Sequence, residues 1–173
     1  LKAVSNLKKD RPFIKLLFVG RPHDHPTLES GDRYRSFLME LCRNLGLESN
    51  VQFLGHIPDP VRVYQISDVA VLPTVISEAF GRVLIETMAC GVPAVASRIG
   101  GIVEVLTGEY AKFLSEPGDE FSLSKVLDQL IDWRIKDPDL ARRCRRHVIE
   151  NFPLSKTIDG IEESLTKALN DKN

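Results

Sequence analysis

Five apolar, β-rich runs set the terms on which this chain can fold: "FIKLLFVG" (13–20), "VQFLGHI" (51–57), "DVAVLPT" (68–74), "PAVASRI" (93–99) and "AKFL" (111–114). Continuous apolar runs of this length predict strands buried on both faces, and each ends in loop-forming residues. Helical periodicity fills the gaps, at Tyr34 to Leu45, roughly Pro60 to Ile66, Gly81 to Ala89 and Ile102 to Leu106, with longer helices expected near 121–134 and 138–150. Strands alternating with helices make a parallel sheet. The expected fold class is therefore α/β, a Rossmann-like doubly wound parallel sheet with helices on both faces. Ligands in such sheets bind outside the carboxyl ends of the strands, which singles out the residues just after Val19, Leu54, Leu72 and Ala96.

The chain's 173 residues, 43% of them hydrophobic, can bury one sizeable core. A formal charge of -1 argues against general nucleic-acid binding, which needs several Lys or Arg on one surface. Cys42, Cys90 and Cys144 are odd in number and far apart, so neither a disulfide framework nor a zinc knuckle is expected, and a reducing cytoplasm fits best. No apolar run approaches the roughly 18 to 20 residues that span a bilayer, which leaves at most attachment to a membrane surface.

The chain reads as opening inside an element: Leu1, Val4 and Leu7 recur at three-residue steps, as in the last turns of a helix. A parallel α/β domain would normally have a strand ahead of that helix, so the sequence reads as part of a longer polypeptide. At the far end, Ile158, Ile161, Leu165 and Leu169 form a helical stripe after Pro153, expected to dock as a terminal helix. Residues 1–152 thus read as one domain and 153–173 as a helix belonging to the same unit.

One stretch carries chemistry. In "SEAFGRVLIETMACGVP" (77–93), a turn leads into a helix closed by Gly91 and Pro93. The N–H groups of Phe80 to Val83 are expected to be unpaired at its start and, with the helix dipole, to favour a phosphate. Gly81 allows close approach. Glu86 shares a helix face with Arg82 and Val83, about 6 Å beyond Arg82 at roughly 1.5 Å per residue. A carboxylate there repels phosphate and accepts hydrogen bonds from hydroxyls. Glu78 ahead of the helix and Glu86 within it therefore suit a diphosphate with hydroxyl-bearing groups on both sides, the layout of a nucleotide sugar.

The longer segment "PTVISEAFGRVLIETMACGVPAVASRIGGIVEVL" resembles the donor-binding segment of retaining glycosyltransferases of the GT-B fold, family 4, in which two glutamates flank seven residues. The resemblance continues upstream through "VQFLGHI" and "YQISDVAVLPT" and downstream to "EPGD", over most of residues 14 to 152. It implies that Glu86 binds the ribose hydroxyls, while Glu78, the one residue carried into a catalytic role, holds the donor sugar. It also implies that backbone groups of Phe80, Gly81, Arg82 and Val83 hold the diphosphate and sugar and that those of Ile57 read the base. Gly20 and Arg21 would border the cleft. Ala79 stands where the family often has glycine, and the family's diphosphate-neutralising Arg and Lys would lie ahead of Leu1.

By the same resemblance the reaction transfers a hexose with retention, without metal or cofactor, from a nucleoside diphosphate sugar. UDP with glucose leads by family frequency, with GDP-mannose and other UDP-sugars open. The leaving diphosphate is stabilised by helix amides, and Glu78 is not a covalent nucleophile. The acceptor, a saccharide or a lipid-linked sugar as in polysaccharide biosynthesis, would bind a missing N-terminal domain, and the whole protein is expected in the cytoplasm, with room for peripheral contact at the inner membrane face. The alternative is a non-catalytic nucleotide-sugar sensor or another Rossmann-type module. A dinucleotide oxidoreductase is disfavoured because no G-x-G-x-x-G follows a strand.

Other stretches read more simply. His23, Asp24 and His25 in "RPHDHP" are adjacent on a proline-flanked loop and rarely converge on one ion. In "ARRCRRHVIENF" (141–152), an apolar stripe of Leu140, Cys144, Val148 and Phe152 lies beneath four arginines, which makes a solvated helix face. His56 and His147 have no identifiable triad partners.

Overall fold

The computed structural model describes residues 1–20 and 31–170. Helix α1 (Lys2–Lys8) buries Ala3, Val4 and Leu7, close to the stripe read from the sequence. There follow β1 (Leu16–Val19), α2 (Gly31–Asn44), β2 (Val51–Gly55), α3 (Val61–Ile66) and β3 (Ala70–Leu72). Next come α4 (Arg82–Ala89), β4 (Ala94–Ser97), α5 (Ile102–Val105), a 3-10 helix (Gly108–Phe113) and β5 (Leu114–Ser115). The chain closes with α6 (Glu120–Leu130), α7 (Trp133–Lys136), α8 (Leu140–Asn151) and α9 (Leu154–Asn170).

Every strand pairing among the described residues is parallel, with helices on both sides of the strands, as the apolar runs require. The ladder divides into two groups rather than one continuous sheet. β1 pairs with β2 from Leu16↔Val51, and β3, β4 and β5 lie in that order, with Ala70↔Ala94 and Ala96↔Leu114 in register. The cores divide in the same way. The larger surrounds fully buried Val95, Leu84, Met88, Ile102 and Leu106, and the smaller joins Val4, Cys42 and Leu47. Ile14 packs against both.

Three elements depart from the expected pattern. The helix anticipated over 121–134 breaks between α6 and α7, where Asp132 takes a two-pronged hydrogen bond from Arg11 (2.8 and 3.0 Å) and the buried Trp133 indole N–H donates to the Asp68 carbonyl at 2.6 Å. "AKFL" is mostly 3-10 helix, with Tyr110 and Phe113 buried, and only Leu114 and Ser115 form strand. Helix α9 forms, but it does not dock: none of its residues is buried, and Ile158, Ile161, Leu165 and Leu169 face outward. Helix α8 has already spent its apolar side, with Leu140, Cys144 and Val148 in the larger core, and Pro153 then ends it. Two of the four arginines above that stripe are paired locally, Arg143 with Asp137 and Glu109 and Arg142 with Asp139. No described helix is long and apolar enough to cross a membrane.

Candidate functional site

The carboxyl end of β3 leads into an extended turn, residues 73–81, that delivers the chain to α4. Its shape is fixed from below by the turn after β4. The Gly101 N–H donates to the Glu78 carbonyl at 2.9 Å, and a Cβ on Gly101 would lie 2.0 Å from the Ala79 carbonyl oxygen. A Cβ on Gly100, at φ +55°, would lie 2.3 Å from the Glu78 carbonyl. Two consecutive glycines are thus what let the backbone of Glu78 and Ala79 lie flat on that turn. On the other side Phe80 meets the ring of Phe152 edge-on at 5.8 Å. Gly81, buried and in the left-handed region at φ +79°, is the N-cap of α4.

Here the structure corrects the expectation that the amides of Phe80 to Val83 are all unpaired. Glu78 Oε1 accepts hydrogen bonds from the backbone N–H of Gly81 at 3.2 Å and of Phe80 at 3.4 Å. The Leu84 N–H donates to the Gly81 carbonyl at 2.9 Å. The amides of Arg82 and Val83 have no acceptor among the described residues, so the open part of the helix start is narrower by two groups. The carboxylate that covers the other two is drawn there by the charge an anionic ligand would satisfy.

Glu86, one turn along, is half-buried and doubly held. The Tyr64 hydroxyl, on α3, donates to its Oε2 at 3.0 Å, and the Arg82 guanidinium donates to its Oε1 through Nε at 3.1 Å and Nη2 at 3.0 Å. Burial first, and then the neighbouring carboxylate, push the Tyr64 hydroxyl up to about 12, so it remains a donor at any physiological pH. Val83 is exposed beside Arg82. Gly20 and Ile57 sit at the ends of the other strand pair: the Gly20 N–H donates to the Gly55 carbonyl at 2.8 Å, and Ile57 follows two residues later, partly buried. Arg21 and the stretch from His23 to His25 lie outside the described residues.

The sequence reading quoted Tyr64 and the Gly100–Gly101 pair only within stretches that carry the family resemblance and gave neither a role of its own. A tyrosine on a short helix announces only that its hydroxyl needs a partner, and a glycine pair only that some backbone passes close by.

Known proteins resemble the chain as a whole. Residues 1–150 match the model of the family described as glycosyl transferases group 1. The chain belongs to that family. Among curated relatives it is similar to the N-acetyl-alpha-D-glucosaminyl L-malate synthase of Bacillus anthracis, 36% identical over 161 residues, covering 91% of this chain and 38% of that protein. It is also similar to the D-inositol 3-phosphate glycosyltransferase of Rhodococcus erythropolis, 35% identical over 158 residues, covering 90% of this chain and 34% of that one. Among solved structures, a glycosyltransferase from Rickettsia africae superposes with a TM-score of 0.81 at 30% identity, over 97% of this chain and 43% of the other. Anabaena HepE in complex with UDP and glucose does so with a TM-score of 0.81 at 27% identity, over 95% of this chain and 44% of that one. The fold is that of the C-terminal, Rossmann-like domain of GT-B glycosyltransferases. This group 1 chain spans a little over a third of the length of the two curated relatives named.

Proposed function

We propose that this chain is the donor-binding half of a retaining, metal-independent family 4 glycosyltransferase, one that moves a hexose from a UDP-linked donor to a saccharide or lipid-linked acceptor. The observation that carries the reading is the placement of Glu78 and Glu86 on either side of the start of α4, where the Arg82 and Val83 amides remain open. The diphosphate would sit on those amides and displace Glu78 from Phe80 and Gly81. Glu78 would then turn to the sugar hydroxyls and Glu86 would take the ribose, with Arg82 free to move from Glu86 to the phosphates. Backbone groups at Ile57 and Gly20, with Arg21, would border the base and the cleft. The HepE complex with UDP and glucose supports the choice of nucleotide and of glucose.

The chemistry would rest on the leaving group. As the anomeric C–O bond breaks, negative charge grows on the diphosphate, and preorganised helix amides stabilise it without reorganising. Acceptor binding would come from the rest of the polypeptide, so this chain alone would bind donor without efficient transfer. The whole enzyme would work in the cytoplasm, at the inner membrane face where the acceptor is lipid-linked.

A second sugar is favoured by one finding: the Bacillus anthracis relative is named for an N-acetylglucosaminyl group. The test is a calorimetric panel of UDP, GDP and ADP with UDP-glucose, UDP-N-acetylglucosamine and GDP-mannose, run in EDTA. Binding of a UDP-sugar is the expected result. The reading fails if no nucleotide binds at millimolar concentration, or if binding requires a divalent metal.

A further inference from the structure

We propose that Tyr64 is a positioning residue for donor binding: by holding one oxygen of Glu86 from a separate helix, it aims the carboxylate at the vicinal hydroxyls of a nucleotide ribose. The inference rests on the donor-binding reading above and adds to it a residue that acts only through Glu86.

The two partners of Glu86 are not equivalent. The Arg82 side chain is 84% exposed, against 35% for that of Glu86, and it lies four residues away on the same helix. Such pairs contribute little and reform freely in water. Tyr64 belongs to α3 and is partly buried. Its ring has two torsions to fix, where a long charged chain has four or more, so its hydrogen bond costs less ordering. The phenol stays protonated and can only give its proton to the carboxylate.

The geometry has a further consequence. α3 begins four residues after Ile57, the position proposed to border the base, and its C-terminal end leads within a few residues to β3. The Tyr64–Glu86 hydrogen bond is therefore a strut between the base side and the ribose side of the cleft. It occupies Oε2 and leaves Oε1 with Arg82 as its sole partner among the described residues. When Arg82 departs to an anion, Oε1 is presented to solvent in a fixed direction. A carboxylate held at one oxygen and open at the other suits a cis diol.

The test compares the tightest-binding of UDP, GDP and ADP with its 2′,3′-dideoxy counterpart, titrated into the full chain as wild type, Tyr64→Phe, Glu86→Gln and the double variant. Wild type should prefer the ribose form. Tyr64→Phe should weaken the ribose form about tenfold, as for loss of a hydrogen bond to a charged group, and leave the dideoxy form unchanged. Glu86→Gln should abolish the preference, and adding Tyr64→Phe to it should change nothing further. Equal weakening of both nucleotides by Tyr64→Phe, or of neither, overturns the inference and leaves the donor-binding reading standing. Absence of any nucleotide binding by wild type overturns that reading and the inference with it. Thermal unfolding of each variant confirms that folded proteins are being compared.

Discussion

The carboxylate of Glu78 reaches forward to the backbone N–H of Gly81, 3.2 Å away, so an acidic group of the chain occupies two of the amides at the mouth of α4. An incoming diphosphate must displace it. Glu78→Ala should therefore bind UDP more tightly than wild type, roughly two- to fivefold, the equivalent of about 0.3–1 kcal/mol for an anion in the first turn of a helix. The same variant should lose any preference for UDP-glucose over UDP, because the freed carboxylate is the group proposed to hold the sugar. Titration calorimetry with both ligands measures the two effects at once. Weaker UDP binding by Glu78→Ala would show that the carboxylate does not compete for that position.

Gly101 makes a sharper claim about backbone. A Cβ there would meet the Ala79 carbonyl oxygen at 2.0 Å, the Ala79 carbonyl carbon at 2.8 Å and the Phe80 Cα at 3.3 Å, none of which can rotate away. Gly101→Ala should cost about 1–3 kcal/mol in urea unfolding, the usual penalty for inserting volume into a packed site. Because the displaced atoms belong to the turn that carries Glu78, UDP affinity should also fall under conditions where the variant is fully folded. An unchanged unfolding midpoint would mean that the two turns can separate at little cost.

How far the sequence foretold these features follows from the range of the interactions involved. The parallel strands were legible because their runs are apolar, although only β4 and β5 are buried along their whole length, and α4 because Gly91 and Pro93 punctuate its end. Its glutamates were legible as a pair for the same local reason. The Glu78 hydrogen bond to Gly81 was not, since a flexible carboxylate three residues from an amide can point either way until the turn is fixed by Gly101, some twenty residues on. Tyr64 meets Glu86 only because α3 packs beside α4, and nothing in "VRVYQI" encodes that neighbour. The break after Leu130 depends on Arg11 and Asp68, distant in sequence. The apolar stripe of α9 misled because periodicity identifies a face and says nothing about what covers it.

Arg11 supplies a pH-dependent link. Its guanidinium donates to Asp128 at 2.8 Å and grips Asp132 with two further hydrogen bonds, tying the segment after α1 to α6 and to the start of α7. The hydrogen bonds from Arg11, and then from Lys136, hold the Asp132 carboxyl at about 2, below its ordinary 3.8. A depressed folded-state value contributes stability that is fully present above the unfolded pKa and is lost as pH falls through the folded one. Wild type should therefore be more stable than Arg11→Leu at pH 7, and the gap should narrow between about pH 4 and pH 2. Urea titrations at pH 7, 4 and 2.5 check this. A gap independent of pH would assign the effect to the arginine's packing alone.

Helix α9 gives the last test, because a helix without buried residues should be thermodynamically separable from the body it follows. Leu154, Ile158, Ile161, Leu165 and Leu169 are all exposed, and the 17-residue helix keeps its own hydrogen bonds without a partner surface. Helices of that length are marginal in water when nothing packs on their apolar side. A chain ending at Pro153 should unfold within about 0.5 kcal/mol of the full chain, as expected where no buried contact is removed. Its far-UV circular dichroism should lose the helical signal of α9, and that signal in the full chain should melt gradually, below the cooperative transition of the core. UDP affinity should be the same in both proteins, since none of the proposed site residues lies beyond Phe152. A fall in stability of more than about 1 kcal/mol on truncation would instead mean that the stripe packs on the body in solution.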